Sequence, residues 1–213
     1  MYTKETIAAE KEEFINLLRS VKREGAQIDL LLQRLEESDF YTAPASTKFH
    51  NNCEGGLLDH SLNVYKNLKS LIKNKGYEDM ISEESIIICG LLHDLSKANY
   101  YEKVFKNKKV YSPDGLKKDE GGYFDWCTVQ EYVTKPENQR FQFGSHEQNS
   151  EYLVRAYIPL YQEESMAILH HHAGMSFDSV QAQFGIIWER APLALFLHLA
   201  DMLSSFIDEG IDR

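Results

Sequence analysis

"ICGLLHDLSKANYY", residues 88–101, is the stretch whose reading decides the rest. Ile88, Leu91, Leu92 and Leu95 recur at helical spacing and predict a buried helix. His93, Asp94 and Lys97 stand in its middle, and each costs free energy in a core unless something pairs with it. Ser82 is the expected N-cap, with Glu83 and Glu84 in the first turn, where the helix dipole favours acids. The predicted helix runs to about Asn99 and is apolar nearly all round, so it should be central. Ile86, Gly90, His93 and Lys97 fall on one stripe. Gly90 weakens a helix but permits the close approach of a neighbour or ligand.

Upstream, "GLLDHSLNVYKNLKSLIKNKG" (56–76) predicts a helix on which Leu57, His60, Val64, Leu68 and Leu71 share one face. His60 therefore points where the leucines point, toward the interior. Residues 4 to 24, stopped by Gly25, and 27 to 37 read as two further helices. They are followed by the turn "SDFYTAPAS" and the loop "TKFHNNCEGG". Downstream, the stretch from about 100 to 143 changes character. "SPDG" and "EGG" are turn signals between short pieces such as "KVFKNKKVY" and "GGYFDW", which predicts an inserted β-hairpin or irregular excursion. Its lysines (Lys103, Lys106, Lys108, Lys109, Lys117, Lys118) interleave with Phe105 and Tyr111. They would make either a lid that attracts phosphate or a solvated hairpin. Helices resume at Ser145, where Gln148 completes a capping box. "EESMAILHHHAG" predicts a helix ended by Gly174. A loop leads to "APLALFLHLADMLSSFID", with Pro192 in the first helical turn.

The chain of 213 residues suits a single domain, 1–213, on which residues 1–44 pack as N-terminal helices. The expected class is all-α, a helical bundle with a small excursion near 100–143. The longest apolar runs are too short to predict a membrane span. The polar start "MYTKETIAAEKEEF" reads as a mature helix rather than a signal peptide. Cys53, Cys89 and Cys127 lack CxxC spacing, which fits reduced thiols in the cytoplasm. A net charge of −10 argues against gripping long duplex DNA through the overall field. It leaves room for a local pocket for a small anion. The first two helices could support a homo-oligomer, or could simply cover their own core.

Several core-type helices thus carry metal-ligand residues on or near apolar faces: His60, His93–Asp94, the His170–His171–His172 cluster and Asp201, with His146 opening the helix between. Any single histidine here could be a satisfied core residue. Asp201, in "LFLHLADMLSSF", and Asp94 are harder to dismiss, because a carboxylate buried alone is expensive. Convergence on divalent cations would resolve all of these burials together. Imidazole and carboxylate suit Mn, Fe, Zn or Ni, and Mg less well. On a continuous helix, His93 and Asp94 would diverge by about 100°, so both would meet one site only at its edge. Asp94 has two oxygens and could bridge two cations. Lys97 is either a snorkelling surface lysine or a phosphate contact.

The order of His60, His93–Asp94 and Asp201 resembles the H…HD…D pattern of the HD-domain metal-dependent phosphohydrolases. "EGGLLDHSLNVYKNL", "GLLHDLSK", "FGSHEQNS", "AILHHHAG" and "APLALFLHLADMLSS" stand in the order of the branch that includes bacterial 3′–5′ exoribonucleases and uncharacterised bacterial and phage HD hydrolases. The resemblance spans roughly residues 45 to 208. It implies one cation held by His60, His93, Asp94 and Asp201. It implies a second shared through Asp94 with His146 and a histidine of the cluster. Aligned on "AIL", His171 takes the ligand position. Aligned backward from Gly174, His172 does. His171 is favoured, which leaves His172 to face substrate. Lys97 matches the position that faces substrate phosphate, and His50 either approaches the site or caps its loop. His198 is expected to be structural or to support a ligand from behind.

The glutamate of the HDxxE hydrolases is missing, since Ser96 and Lys97 occupy that region, and no GYP-type sequence follows the histidines. The resemblance therefore implies a phosphodiester of a nucleotide or short oligonucleotide as substrate, hydrolysed by a metal-activated water with Asp94 and Lys97 as the catalytic residues. Rival readings are a nucleotidase or dNTP phosphohydrolase, and a non-catalytic metal- or nucleotide-binding sensor.

Overall fold

The computed structural model describes residues 3–141, 144–172 and 181–209, with the side chains of 181–184 left aside. Two N-terminal helices, α1 (Lys4–Ser20) and α2 (Ile28–Glu36), precede α3 (Gly56–Lys75) and α4 (Glu83–Leu92). A 3-10 turn (Leu95–Lys97) leads into strands β1 (Tyr101–Tyr111), β2 (Lys117–Asp119) and β3 (Gly122–Thr134). Then come α5 (His146–Arg155), α6 (Gln162–Leu169), α7 (Gln181–Arg190), α8 (Pro192–Leu203) and a π-helical turn (Ser204–Asp208).

The all-α expectation is corrected. The described residues form eight α-helices and a three-stranded antiparallel sheet ordered β1-β3-β2, so the class is mixed α and β. β1 pairs with β3 along its whole length, from Tyr101↔Thr134 to Tyr111↔Phe124. The physical reason lies in composition: Val, Tyr, Phe, Trp and Thr alternate with lysines and carboxylates along both strands, which suits a pleated surface. The excursion is therefore a regular sheet. It adds no residue to the main core cluster.

That core is helical. From Ser85 to Leu92 every residue of α4 is buried, as its all-round apolarity predicts. Leu57, Leu58, Val64, Leu68 and Ile72 of α3 are fully buried against it; burial of each such side chain contributes roughly 1.5–3 kcal/mol. Gly90 is where the two helices meet. A Cβ placed there would lie 2.7 Å from Tyr65 Cα and 3.2 Å from Tyr65 N, both backbone atoms of α3. Gly90→Ala must push the helices apart, at about 1–3 kcal/mol of overpacking. In a chain of this size the expected drop in melting temperature is about 3–10 °C. A thermal melt reads it directly, and an unchanged midpoint would contradict the close helix contact.

Some boundaries differ from the sequence reading because tertiary contacts win. α1 stops at Ser20 rather than near 24: Val21 turns extended and buries, and the Lys22 N–H donates to the Glu84 carboxylate at 2.5 Å. Arg23 then reaches α6, donating to both Glu164 oxygens at 2.5 and 2.7 Å, with the Arg23 side chain 4% and that of Glu164 1% exposed. Gln181–Arg190 is a helix where a loop was expected, with Ile187 and Trp188 packed against the core. Gly174, the expected helix stop, lies outside the described residues. α6 already ends at Leu169, before the histidines. No described helix is long and apolar enough to cross a membrane.

Candidate metal centre

His60 lies fully buried within α3, on the face that carries Leu57, Val64 and Leu68. α4 ends at Leu92, not at Asn99. His93 is its C-cap, and Asp94 leaves helical geometry at φ −108° and ψ 22°. The break is held from α5: the Ser96 N–H donates to Ser150 Oγ at 3.1 Å, and Ser96 Oγ donates to the His146 carbonyl at 2.9 Å. As a result His93 and Asp94 no longer diverge as consecutive helical residues would. His93 Nε2 lies 3.5 Å from Asp94 Oδ2. The 3-10 turn then sets Lys97 Nζ 2.6 Å from Asp94 Oδ2, with the lysine side chain only 12% exposed. Lys97 is therefore not a surface lysine.

His146 is the first residue of α5, presented by the Ser145–Gln148 capping box. His171 and His172 lie in the turn after α6. The His198 Nδ1–H donates to the His171 carbonyl at 2.7 Å and holds that turn, with its ring stacked on Trp188. Asp201, in α8, is 3% exposed and accepts from Ser205 Oγ at 3.3 Å.

The rings share one arrangement. Each turns its Nδ1 outward: His93 to the Gly90 carbonyl at 3.1 Å, His171 to the Ile168 carbonyl at 2.7 Å, His60 to Glu209 at 3.0 Å. Glu147 lies 3.1 Å from His172 Nδ1 and 3.3 Å from His146 Nδ1. Each turns its Nε2 inward. His60 Nε2 lies 3.3 Å from Asp201 Oδ1, 3.5 Å from Asp94 Oδ2 and 3.3 Å from His93 Nε2. Asp94 Oδ1 faces His171 Nε2 at 3.7 Å and His146 Nε2 at 3.8 Å. His172 Nε2 faces Asp201 Oδ2 at 3.2 Å. Both Asp94 oxygens and the Nε2 atoms of His146 and His171 are buried without a directed hydrogen bond.

These spacings test whether a cation fits. Two donors about 2.1 Å from one ion, at tetrahedral to octahedral angles, stand about 3.0–3.4 Å apart. In the group of His60, His93, Asp94 and Asp201, the three contacts of His60 and the one between His93 and Asp94 span 3.3 to 3.5 Å. Around Asp94 Oδ1 the edges of 3.7 and 3.8 Å are looser. Both groups fit a divalent cation, the first more closely. His146, His171 and His172 also lie within ligating distance of one another.

His171 is fully buried and aimed at Asp94, whereas the His172 side chain is 31% exposed and stands at the rim. His170 joins none of the ligand groups found among the described residues. His50 packs its ring 4.9 Å from that of His60, and its Nε2 is buried without a hydrogen bond. It thus borders the site on the Glu209 side. In the hairpin, Lys103 pairs with Glu54 at 2.8 Å and Lys109 with Asp119 at 2.5 Å, while Lys106 and Lys108 both face Glu131. Those four lysines are engaged, as in a solvated hairpin. Glu147 and Glu209 were not predicted. Glu147 stood beside His146 as a possible signal, whereas Glu209 is 149 positions from the ring it touches.

The charges are mutually sustained. Burial alone would raise the Asp94 pKa, but the Lys97 ammonium and the neighbouring imidazoles outweigh it and hold the carboxyl well below its usual range. Asp201 is held low against its burial in the same way, by His172 and His60. Burial opposes charge on His60 and His172 too, yet carboxylates win: His60 is pushed well above 6.5, and His172 to about 9. Burial prevails at His146, lowered to about 4, and at His50, lowered to about 3. For the raised pair, imidazolium stabilises the metal-free fold below pH about 6.5, and that contribution fades as pH rises toward 9. A cation held by His60 would have to displace its proton, so its affinity should rise with pH above about 6.5, by about tenfold per pH unit for that one proton. Calorimetric titrations in buffers of different ionisation enthalpy would read the released protons. Equal affinity at pH 6.5 and pH 9 would contradict a raised His60 pKa.

Comparison with family models, with curated proteins and with solved structures finds no match. The functional reading therefore stands on the site and on the motif resemblance.

Proposed function

We propose that the chain is a metal-dependent phosphohydrolase of the HD type that cleaves a phosphodiester of a nucleotide or short oligonucleotide, in the cytoplasm. One observation carries the reading: five imidazoles, each with Nδ1 facing outward, direct Nε2 toward the buried carboxylates Asp94 and Asp201. Core histidines that merely satisfy themselves would not share that polarity, whereas metal-ligating histidines characteristically do.

The roles follow from position. His60, His93, Asp94 Oδ2 and Asp201 would hold one cation. Asp94 Oδ1, His146 and His171 would hold another. When bound, such cations acidify a coordinated water and offset charge on a phosphoryl group. Lys97 supplies a fixed ammonium beside Asp94, placed to stabilise phosphoryl oxygens as their charge grows. His146 and His172, each about a third exposed, form the open rim through which a phosphate enters. His50 lines the wall beside His60. Cys53, Cys89 and Cys127 are free thiols, in keeping with a reducing compartment.

The test is elemental analysis of purified protein, followed by a manganese-supplemented panel of nucleotides, dNTPs and short oligonucleotides. Metal-dependent release of a mononucleotide from an oligonucleotide supports the proposal. Release of inorganic phosphate or triphosphate alone would move the substrate to free nucleotides. Metal binding without turnover across the panel would leave a sensor.

A further inference from the structure

His60 is unlike the other deeply buried rings in where its support comes from. His93 and His171 bond the carbonyls of Gly90 and Ile168, three residues back, at helix ends where carbonyls lack an intrahelical partner. His60 sits inside α3, where the carbonyls of the preceding turn are consumed by the helix itself; Leu57 O also accepts from Ser61 Oγ. Its orientation must be imposed from outside.

Glu209 supplies it. Its side chain is 1% exposed, and its two oxygens lie 3.0 and 3.2 Å from His60 Nδ1. Asn63, one turn along α3, donates to Glu209 Oε1 at 3.1 Å. The π-helical turn that carries Glu209 is itself tied down. The Glu209 N–H donates to the Ser204 carbonyl at 2.9 Å, and Asn67 bonds Ser204 Oγ and Asp208 Oδ2 at 2.9 and 2.7 Å. Glu209 meets the ring edge opposite Asp94 and Asp201, so it cannot share a cation with them.

We infer that Glu209 is the positioning residue of the tighter cation position, holding His60 through Nδ1 so that Nε2 is presented to a divalent metal. The inference rests on the metal-centre reading above. A carboxylate behind an imidazole also strengthens it as a donor, beyond what a backbone carbonyl does, and removing such a partner typically costs about 10–100-fold in metal affinity. The position built on His60 is accordingly the first to fill.

The experiment is a cobalt(II) titration of metal-stripped protein, followed by visible absorption, for the wild type, Glu209→Ala, Glu209→Gln and His60→Ala, with a thermal melt of each metal-free variant. His60→Ala identifies the binding event that belongs to its position. Glu209→Ala should weaken that event by about 10–100-fold and leave the looser event within about threefold. Glu209→Gln keeps an acceptor oxygen without the charge and should fall between. If both Glu209 variants bind cobalt as the wild type does, the positioning role is wrong. If all events weaken together and the metal-free melt drops, Glu209 is only part of the scaffold, and the inference fails. A wild type that takes up no cobalt sinks the metal centre itself and this role with it.

Discussion

Asp94→Asn should cut metal-dependent phosphoester hydrolysis by at least about 10³-fold in kcat/KM, or about 4 kcal/mol of barrier. The magnitude follows from geometry. Asp94 faces both candidate cation positions with separate oxygens, through Oδ2 toward His60 and His93 and through Oδ1 toward His146 and His171. Asparagine keeps the shape but offers one neutral oxygen and an amide that repels a cation. The same change disturbs the fold, because Asp94 is the nearest counter-charge to the Lys97 ammonium. Removing one partner of a buried pair costs about 3–5 kcal/mol, whereas removing both can be nearly neutral. Asp94→Asn combined with Lys97→Met should therefore recover most of the melting temperature and none of the activity. Kinetics and thermal melts on the two variants separate folding from chemistry. A single variant that retains turnover would remove Asp94 from the centre.

How much of this was legible depended on whether the determinants were local. His60 could be aimed inward because its neighbours Leu57, Val64 and Leu68 share its helical face, and all are fully buried. The capping box at Ser145 was written in four consecutive residues and formed as expected. The end of α4 was not legible. Nothing in 88–101 announces that Ser150 and His146, some fifty residues away, will bond Ser96 and bend the chain at Asp94. That bend turns two diverging residues into two side chains facing one point. The sheet was visible as turns and alternation, but its eleven-rung pairing required knowing the register of β1 along the longer β3. Glu209 lies beyond the span of the family resemblance, and no helical period joins it to His60. It becomes visible only when the C-terminal turn is seen folded back on α3.

Lys97→Met should move metal affinity and turnover in opposite directions. The Lys97 ammonium sits 2.6 Å from Asp94 Oδ2, the same oxygen that His60 and His93 approach at 3.5 Å. An ammonium there would compete with a divalent cation for Oδ2, both by occupying space and by repulsion at a buried carboxylate. Removing it should tighten cation binding by at least about tenfold, a change of about 1.4 kcal/mol. On the proposed phosphohydrolase reading, turnover should nonetheless fall by about 10²–10³-fold, because a fixed ammonium beside the phosphoryl group would be gone. Methionine retains the length and apolar stem, so packing against the turn should survive, although leaving Asp94 unpaired should cost about 3–5 kcal/mol of stability, as for the other half of the pair. A merely structural lysine would change neither quantity separately: a loosened site would lose metal and activity together. Cobalt titration alongside steady-state kinetics distinguishes the outcomes, and a parallel loss of both would remove Lys97 from the chemistry and leave it a counter-charge for Asp94.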